Sequence, residues 1–387
     1  MLKLTSFIFA TNQFILDTMQ IEVNRKEFIS ALNVGGSMAG KTKTIPALDY
    51  AKITVKETSM VISSFDTEVA VTKRFSIAES LENAVFCVNP KDLNNVLKSI
   101  KDENVVIKLE SDTLVVSHAK GKVSLPVIDA NDFPAPSKDD NATKVTMSSG
   151  MLFAWFKEGK NFVSNDEIRP IMNGVYLYVC GHEIGVASSD AHRLFHDCEG
   201  YLGGDDVNVN ASITSNAIDS IMSVINGTSE TDVFFGEKNT VFKTDDAMVT
   251  CRKIEGRFPD FKRIIREESP IMVRVDKAEI LDSVSRVCLV ADSTQRLVKL
   301  FIKGDGKIVV TGCDLGFNKS GEETVVCEIA SGEDLTIGVK GMSFHQCLGS
   351  IESDYVNIGF EDAKKSIVMT CDNNPRRRVV LMPVMIG

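Results

Sequence analysis

The chain repeats itself three times, and that repeat limits what it can fold into. Three runs of β-type alternation each end on an aspartate: VISSFD at Asp66, GVASSD at Asp190 and IVVTGCD at Asp314. Both intervals between these aspartates are 124 residues. An aspartate after a strand bonds to nearby backbone and turns the chain. Other signals keep the same step. A helix-like stretch opens each unit: RKEFISALNV from Arg25, SGMLFAWFKEG from Ser149 and DKAEILDSVSRV from Asp276. A second comes later in each, NPKDLNNVLKSI, TSNAIDSIMSVI and VKGMSFHQCLGSI, ending at Ile100, Ile225 and Ile351. Their apolar residues recur at three- and four-residue steps, as in Leu93, Val96, Leu97 and Ile100. Three strand signals then close each unit: NVVIKLE, TLVVSHA and GKVSLPVI; TDVFFGE, NTVFKTD and AMVTCRKI; DYVNIGF, SIVMTCD and RRVVLMPV.

A solenoid repeats every 20–50 residues or so, and this period is far longer. It fits three similar whole domains of α+β class, each with two helices packed on antiparallel sheets. Two connectors, ANDFPAPSKDDNATK and EGRFPDFKRIIREESP, carry Phe133-Pro134 and Phe258-Pro259 and mark the seams. The expected division is an extension over 1–18 and domains over 19–143, 144–269 and 270–387. The leading MLKLTSFIFATNQFILDT has too short an apolar run for a signal peptide, and Asn12, Gln13 and Asp17 break up the residues after that run. It reads as an extension or an upstream start, with the folded protein beginning near Met19. Similar domains placed head to tail continue around an axis, and a symmetric pair of chains closes them into a six-domain ring. Pairing edge strands across domains and chains removes exposed sheet edges.

Composition narrows the class. Of 387 residues, 43% are hydrophobic and 25% charged, a soluble globular balance. The net charge of −10 excludes a protein coated in basic residues, but not a local basic surface. Nine cysteines without a CxxC pair suggest reduced thiols in a cytoplasmic protein, not a disulfide framework or zinc ribbon. No metal or cofactor is called for.

Three segments carry a family likeness: IRPIMNGVYLYV from Ile168, SSDAHRL over Ser188–Leu194, and EGRFPDFKRII over Glu255–Ile265. With the terminal VVLMPVMIG and the threefold repeat, the chain from about Met19 onward resembles the bacterial sliding clamp, the beta subunit of DNA polymerase III. The resemblance implies a non-catalytic head-to-tail homodimer, a ring of six domains around duplex DNA. It also implies partners: the replicative polymerase, the clamp loader, repair polymerases and other proteins docking a short linear peptide. The implied pocket takes Met172, then Ser189, Ala191, His192, Arg193 and Leu194 from the turn. Pro259, Arg263 and Ile264 come from the connector, and Val380, Met382, Pro383, Val384 and Met385 from the tail. Its apolar members suit Leu or Phe anchors, with Arg193, Arg263 and His192 bonding to peptide polar atoms at the rim.

Encirclement makes tight phosphate contact unnecessary, so a few weak, salt-sensitive cations suffice. The candidates facing DNA are Arg25, Lys41, Lys43, Lys91, Lys98, Lys101, Lys157, Lys160 and Arg286. The candidates for the dimer contact are Lys120, Lys122, Val123 and Leu125 on one side and Leu289, Val290, Glu322 and Glu323 on the other. The sequence departs from the family pattern at Ala191, where glycine is usual, and at the Met385-Ile386-Gly387 end. Pro170 and Ile171 replace aromatic residues, and Ser215 and Asn216 stand where basic residues are frequent.

Rival readings are a hydrolase-like set of Ser188, Asp190 and His192, and zinc held by His192 and His196. The first lacks a GxSxG elbow and the second a third ligand. A third rival is a scaffold of the same domains that does not encircle DNA. Gly304–Gly306 and Gly203-Gly204 lack a phosphate-loop context and read as hairpin turns.

Overall fold

The computed structural model describes residues 19–42, 45–78, 80, 82–131, 133–137, 139–204, 206–294, 296–331 and 334–386. The expected extension over 1–18 and the candidate Lys43 lie outside the described residues. The chain divides into two compact units, Met1–Lys138 with Val241–Cys251, and Asp139–Thr240 with Arg252–Gly387. No helix among the described residues is long and apolar enough to cross a membrane.

One order of elements runs three times: a strand, a helix, four strands, a second helix and three strands. The helices are α1 (Arg25–Gly35), α2 (Pro90–Ser99), α3 (Ser149–Gly159), α4 (Ser215–Ile225), α5 (Lys277–Cys288) and α6 (Gly341–Gly349). All six fall on the stretches expected from their periodicity. Asn24, Asn89, Ser148, Thr214 and Asp276 precede the first five, and each side chain accepts from a first-turn backbone N–H. This satisfies donors that the helix itself leaves unpaired. Lys340 before α6 supplies no such cap. Instead, a Cβ on Gly341 would lie 2.3 Å from Cys288 Sγ, so glycine lets α6 close on α5. The helices pack in sequential pairs, α1 with α2, α3 with α4 and α5 with α6.

The three aspartates do what their spacing implied. Asp66 Oδ1 accepts from the amides of Glu68 and Val69. Asp190 Oδ1 accepts from those of His192 and Arg193. The residue after each is left-handed, Thr67 at φ 84° and Ala191 at φ 73°. Asp314 Oδ1 instead accepts from Phe317 N, in a longer turn. A second tie accompanies the first two turns. Ser64 and Ser188 donate to the carbonyls of Gly35 and Gly159, the last residues of α1 and α3. In the third repeat Gly312 takes that place, and a Cβ there would come within 2.8 Å of Val287.

In the first unit the sheet order by strand is 20–24, 104–110, 113–118, 121–128, 84–88, 51–56, 59–65, 69–76 and 247–252. Phe28, Leu32, Ile53, Ile62, Leu93, Leu97, Ile107 and Val116 are buried between it and its helices. In the second unit a twelve-stranded sheet runs 208–214, 174–180, 183–189, 193–200, 378–381, 367–370, 355–360, 271–276, 319–331, 307–314, 297–303 and 335–340. One pairing rule joins successive repeats. The fourth strand of the first, 69–76, pairs with the last strand of the second, 247–252. The fourth strand of the second, 193–200, pairs with the last of the third, 378–381.

Gly304–Gly306 does turn a hairpin between 297–303 and 307–314, with Gly306 at φ 84°. Gly203-Gly204 does not. The strand before it pairs with 183–189 and 378–381, and the strand after it with 174–180, so this loop crosses over.

Candidate functional site

The turn at Asp190 is held from three sides. Asp190 caps its own backbone and binds Arg193 through Nε at 2.9 Å and Nη2 at 2.7 Å. Arg193 Nη1 also donates to Gln346 on α6, and its guanidinium lies 5.2 Å from the Phe162 ring centroid. Arg193 is therefore a fixed strut of the turn. His192 beside it is exposed, and Ser189 accepts from Ala191 N while donating to Arg193 O.

The C-terminal residues run along this turn. Arg193 pairs with Leu381 and Leu194 with Val380, and Met382 N donates to His192 O at 2.8 Å. Two residues later Val384 N donates to Gly338 O at 2.8 Å. A Cβ at Gly338 would stand 2.7 Å from Val384 O, so glycine admits the tail here. Pro383 and Val384 are half-buried, whereas Met382 is 39% and Met385 65% exposed. Underneath, Leu194 and Val380 join a buried cluster with Tyr178, Phe258 and Phe261, against which Ile171 and Ile265 pack. Met172 is buried, and its carbonyl accepts from Ser164 N.

The connector brings Pro259, Arg263 and Ile264. Phe258 stacks on Tyr176 at 4.8 Å between centroids and 10° between planes, and Phe261 lies 5.1 Å from the His196 ring. Phe261 N donates to Pro259 O and Ile264 N to Phe261 O, forming a single tight turn. Ile264 is 45% exposed, and Arg263 reaches Asp260 at 2.7 Å. All four segments named from sequence thus lie in one unit, and the turn and the tail meet directly.

Below the connector, Tyr178 hydroxyl donates to Glu183 Oε1 at 2.6 Å and lies 2.9 Å from His196 Nε2. Its single proton is spent on the carboxylate, so the imidazole donates from Nε2. His196 Nδ1 then has no hydrogen-bond partner among the described residues. Burial depresses the His196 pKa to about 4, leaving the ring neutral, and pushes Tyr178 well up. Burial also acts to raise Glu183, but hydrogen bonds from Lys262 and Tyr178 hold it below the usual carboxylate value. Donor atoms of Glu183, His196 and Cys198 lie within 4.8 Å of one another. The phenol oxygen bonds to the first two, so the group reads as a hydrogen-bond network. The zinc reading from His192 and His196 needs helical spacing, and these residues lie on a turn and a strand.

Among the described residues, the last strand of the first repeat and the fourth strand of the third each keep an unpaired stretch. In 121–128, only Val127 and Ile128 pair with 84–88, which leaves Lys122, Val123 and Leu125 paired to 113–118 on one side alone. In 319–331, residues 319–326 pair only with 307–314, and the 271–276 pairing begins at Cys327. Lys120 is exposed, and Leu289, at the end of α5, is 80% exposed. Val290 is half-buried against Gly321, and Glu322 is exposed. Glu323 forms a two-pronged pair with Arg286 at 2.7 Å on each arm, so a candidate for each role is spent on the other. Of the remaining cations, Arg25 Nε donates to Asp102 O and Lys160 pairs with Asp219. Lys41, Lys91, Lys98, Lys101 and Lys157 are exposed.

The comparisons with known proteins decide the family. The DNA polymerase III beta subunit models match in order, the N-terminal domain over 19–137, the central domain over 159–260 and the C-terminal domain over 262–385. The chain belongs to the DNA polymerase III beta subunit family. It is similar to the beta sliding clamp of Rickettsia felis, 23% identical over 381 residues, covering 95% of this chain and all of the relative. The beta sliding clamp of Streptococcus pneumoniae is 24% identical and covers 91% of this chain and 95% of its own. Among solved structures, the Pseudomonas aeruginosa sliding clamp bound to griselimycin superposes with a TM-score of 0.91 at 19% identity, over 96% of this chain and 100% of that one. The Bacillus subtilis clamp gives 0.89 at 18%, over the same shares.

Membership makes this chain a DNA sliding clamp, a processivity subunit and not a catalyst. The geometry of the hydrolase-like residues agrees. Ser188 is buried and donates to Gly159 O, and Asp190 is consumed in its turn. Sequence reasoning missed the residues that hold this region: Phe162 and Gln346 behind Arg193, the Tyr178 network, and the buried Asp197–Arg377 pair at 2.8 Å. Arg377 lies 180 residues from Asp197, and no local pattern links them.

Proposed function

We propose that two copies of this clamp close head to tail around duplex DNA, in the cytoplasm, as a ring of six domains bounded near residues 143 and 269. The pairing rule carries the proposal. Twice within the chain, the fourth strand of one repeat meets the last strand of the next. The third repeat's fourth strand, at 319–326, and the first repeat's last strand, at 121–126, are left with bare flanks. The same rule applied once more joins these two strands between copies and covers both bare flanks. Leu289, Val290, Val123 and Leu125 supply apolar contact there, and Lys120, Lys122 and Glu322 complementary charge. Lys41, Lys43, Lys91, Lys98, Lys101 and Lys157 are the cations offered to phosphates, with Arg25, Lys160 and Arg286 partly engaged within the chain.

The face formed by the Asp190 turn, the connector and the tail is the docking site for a short peptide of the replicative polymerase, clamp loader or repair polymerases. The exposed Met382, Met385 and Ile264 above a buried apolar cluster support a groove for Leu or Phe anchors. Charged substitutions at Leu289 and Val290 should yield monomers by light scattering. The ring itself is tested by retention on nicked circular DNA. Loss on linearising the circle is expected, and equal retention on linear DNA with free ends favours a scaffold that does not encircle.

A further inference from the structure

We propose that Lys262, Glu183, Tyr178 and His196 form a latch that fixes the height and register of the connector, and so presets its contribution to the peptide face. The inference rests on the peptide-site reading for its functional half. Its structural half stands on geometry alone.

The connector has little backbone holding it where it crosses the sheet. Among the described residues, the backbone bonds between Phe258 and Ile265 are the two inside its own turn, from Phe261 to Pro259 and from Ile264 to Phe261. Side chains must therefore anchor it. Phe258 and Phe261 supply apolar attachment, stacking over Tyr176 and against His196. Stacked rings slide at small cost, so they attach a segment without fixing its register. A directional contact is needed, and Lys262 gives one. Its Nζ donates to Glu183 Oε1 at 2.7 Å and lies 5.5 Å from the Tyr178 ring centroid. Glu183 is in turn held by the Tyr178 hydroxyl at 2.6 Å, and that hydroxyl by His196 Nε2 at 2.9 Å.

The anchor is stiff because its lower half is buried. Tyr178 and His196 are both more than nine-tenths buried. A Cβ on Gly185 would come within 2.8 Å of both the Tyr178 hydroxyl and Cys198, so glycine leaves room for the phenol. An exposed ion pair such as Lys262–Glu183 would otherwise hold poorly. Here one partner is fixed from below. Lys262 is flanked by Phe261 and Arg263, so fixing it fixes Pro259 and Ile264 as well.

Tyr178→Phe keeps the ring and removes the hydroxyl, while Lys262→Met keeps the stem and removes the charge. Both should speed hydrogen exchange at Phe261 and Ile264 selectively. Both should also weaken binding of a labelled Leu- and Phe-containing peptide by several-fold, on the order of tenfold. Glu183→Leu should do the same, and Lys262→Met added to it should have no further effect. Glu183→Gln keeps an acceptor oxygen and should restore most of the affinity; loss in Glu183→Leu with recovery in Glu183→Gln is a pattern that a merely space-filling role would not give. Unchanged exchange in Tyr178→Phe and Glu183→Leu would overturn the latch, as would uniform acceleration throughout the unit. Failure of the unaltered protein to bind the peptide would remove the functional half and the peptide-site reading with it. The exchange data would still decide the latch.

Discussion

The two strand pairings between successive repeats obey one rule and are fastened differently. At the first, 69–76 meets 247–252, and across it Lys73 pairs with Asp246 at 2.6 Å and Arg74 donates to Asp245 O at 3.0 Å, with both side chains of the ion pair partly in solvent. At the second, 193–200 meets 378–381, and beside it Asp197 and Arg377 pair almost fully buried. Asn374 donates to both oxygens of Asp197, Arg377 reaches Ser350 O, and its guanidinium lies 5.6 Å from the Phe195 ring centroid. Water screens the first contact, whereas the second specifies one geometry. The second pairing also carries the tail and the exposed Met382, so the pairing beside the proposed binding face is the one that is rigidly specified.

The largest test of this contrast removes one charge from each. Arg377→Leu strands Asp197 in the interior and should cost about 3–5 kcal/mol in urea unfolding of the second unit. Lys73→Met should cost about 1 kcal/mol or less. Equal losses would mean that burial does not distinguish the two.

A smaller effect is expected at the face. Met382→Ala should weaken peptide binding by about 1–2 kcal/mol with the assembled mass unchanged. Arg193→Ala should weaken it through the turn it braces, and faster exchange at Ala191 and His192 would separate that route from loss of a direct contact.

Acid should act on the second pairing more than on the first. Burial depresses the His196 pKa from 6.5 to about 4, so the neutral ring stabilises the fold fully above pH 6.5. That contribution should fade as pH falls through the folded value near 4. His196→Phe should flatten this stretch of the stability profile, as read by thermal melts across that range.

The smallest effects belong to the two matched turns. Ala191 and Thr67 both hold positive φ, and a β-branched residue is strained there more than alanine. Ala191→Gly should stabilise by roughly 0.5 kcal/mol and Thr67→Gly by about 1 kcal/mol. The order of these two melting shifts is the test.

What could be read in advance was local. The six helices came from periodicity, and the fifth also from Asp276 at its start, because faces and caps lie within a few residues of each other. The turns came from Asp66 and Asp190 for the same reason. The serine ties of Ser64 and Ser188 were present as the paired serines of VISSFD and GVASSD, but their acceptors are 29 residues away. The fastening of the second pairing was invisible, since it depends on which strands become neighbours. The same holds for Arg286 and Glu323, assigned to different surfaces by the helix and the edge strand that carry them and found bonded to each other. Gly203-Gly204 misled because a glycine pair marks a bend without saying which strand comes next.

The central claim is that one pairing rule, used twice within a chain, is used a third time between copies. Light scattering on the purified protein addresses it directly. A mass of twice the 42.4 kDa chain, falling to one chain when Leu289 and Val290 are both made aspartate, is the predicted result. A single-chain mass at concentrations that support replication, or a dimer indifferent to those two changes, would contradict it.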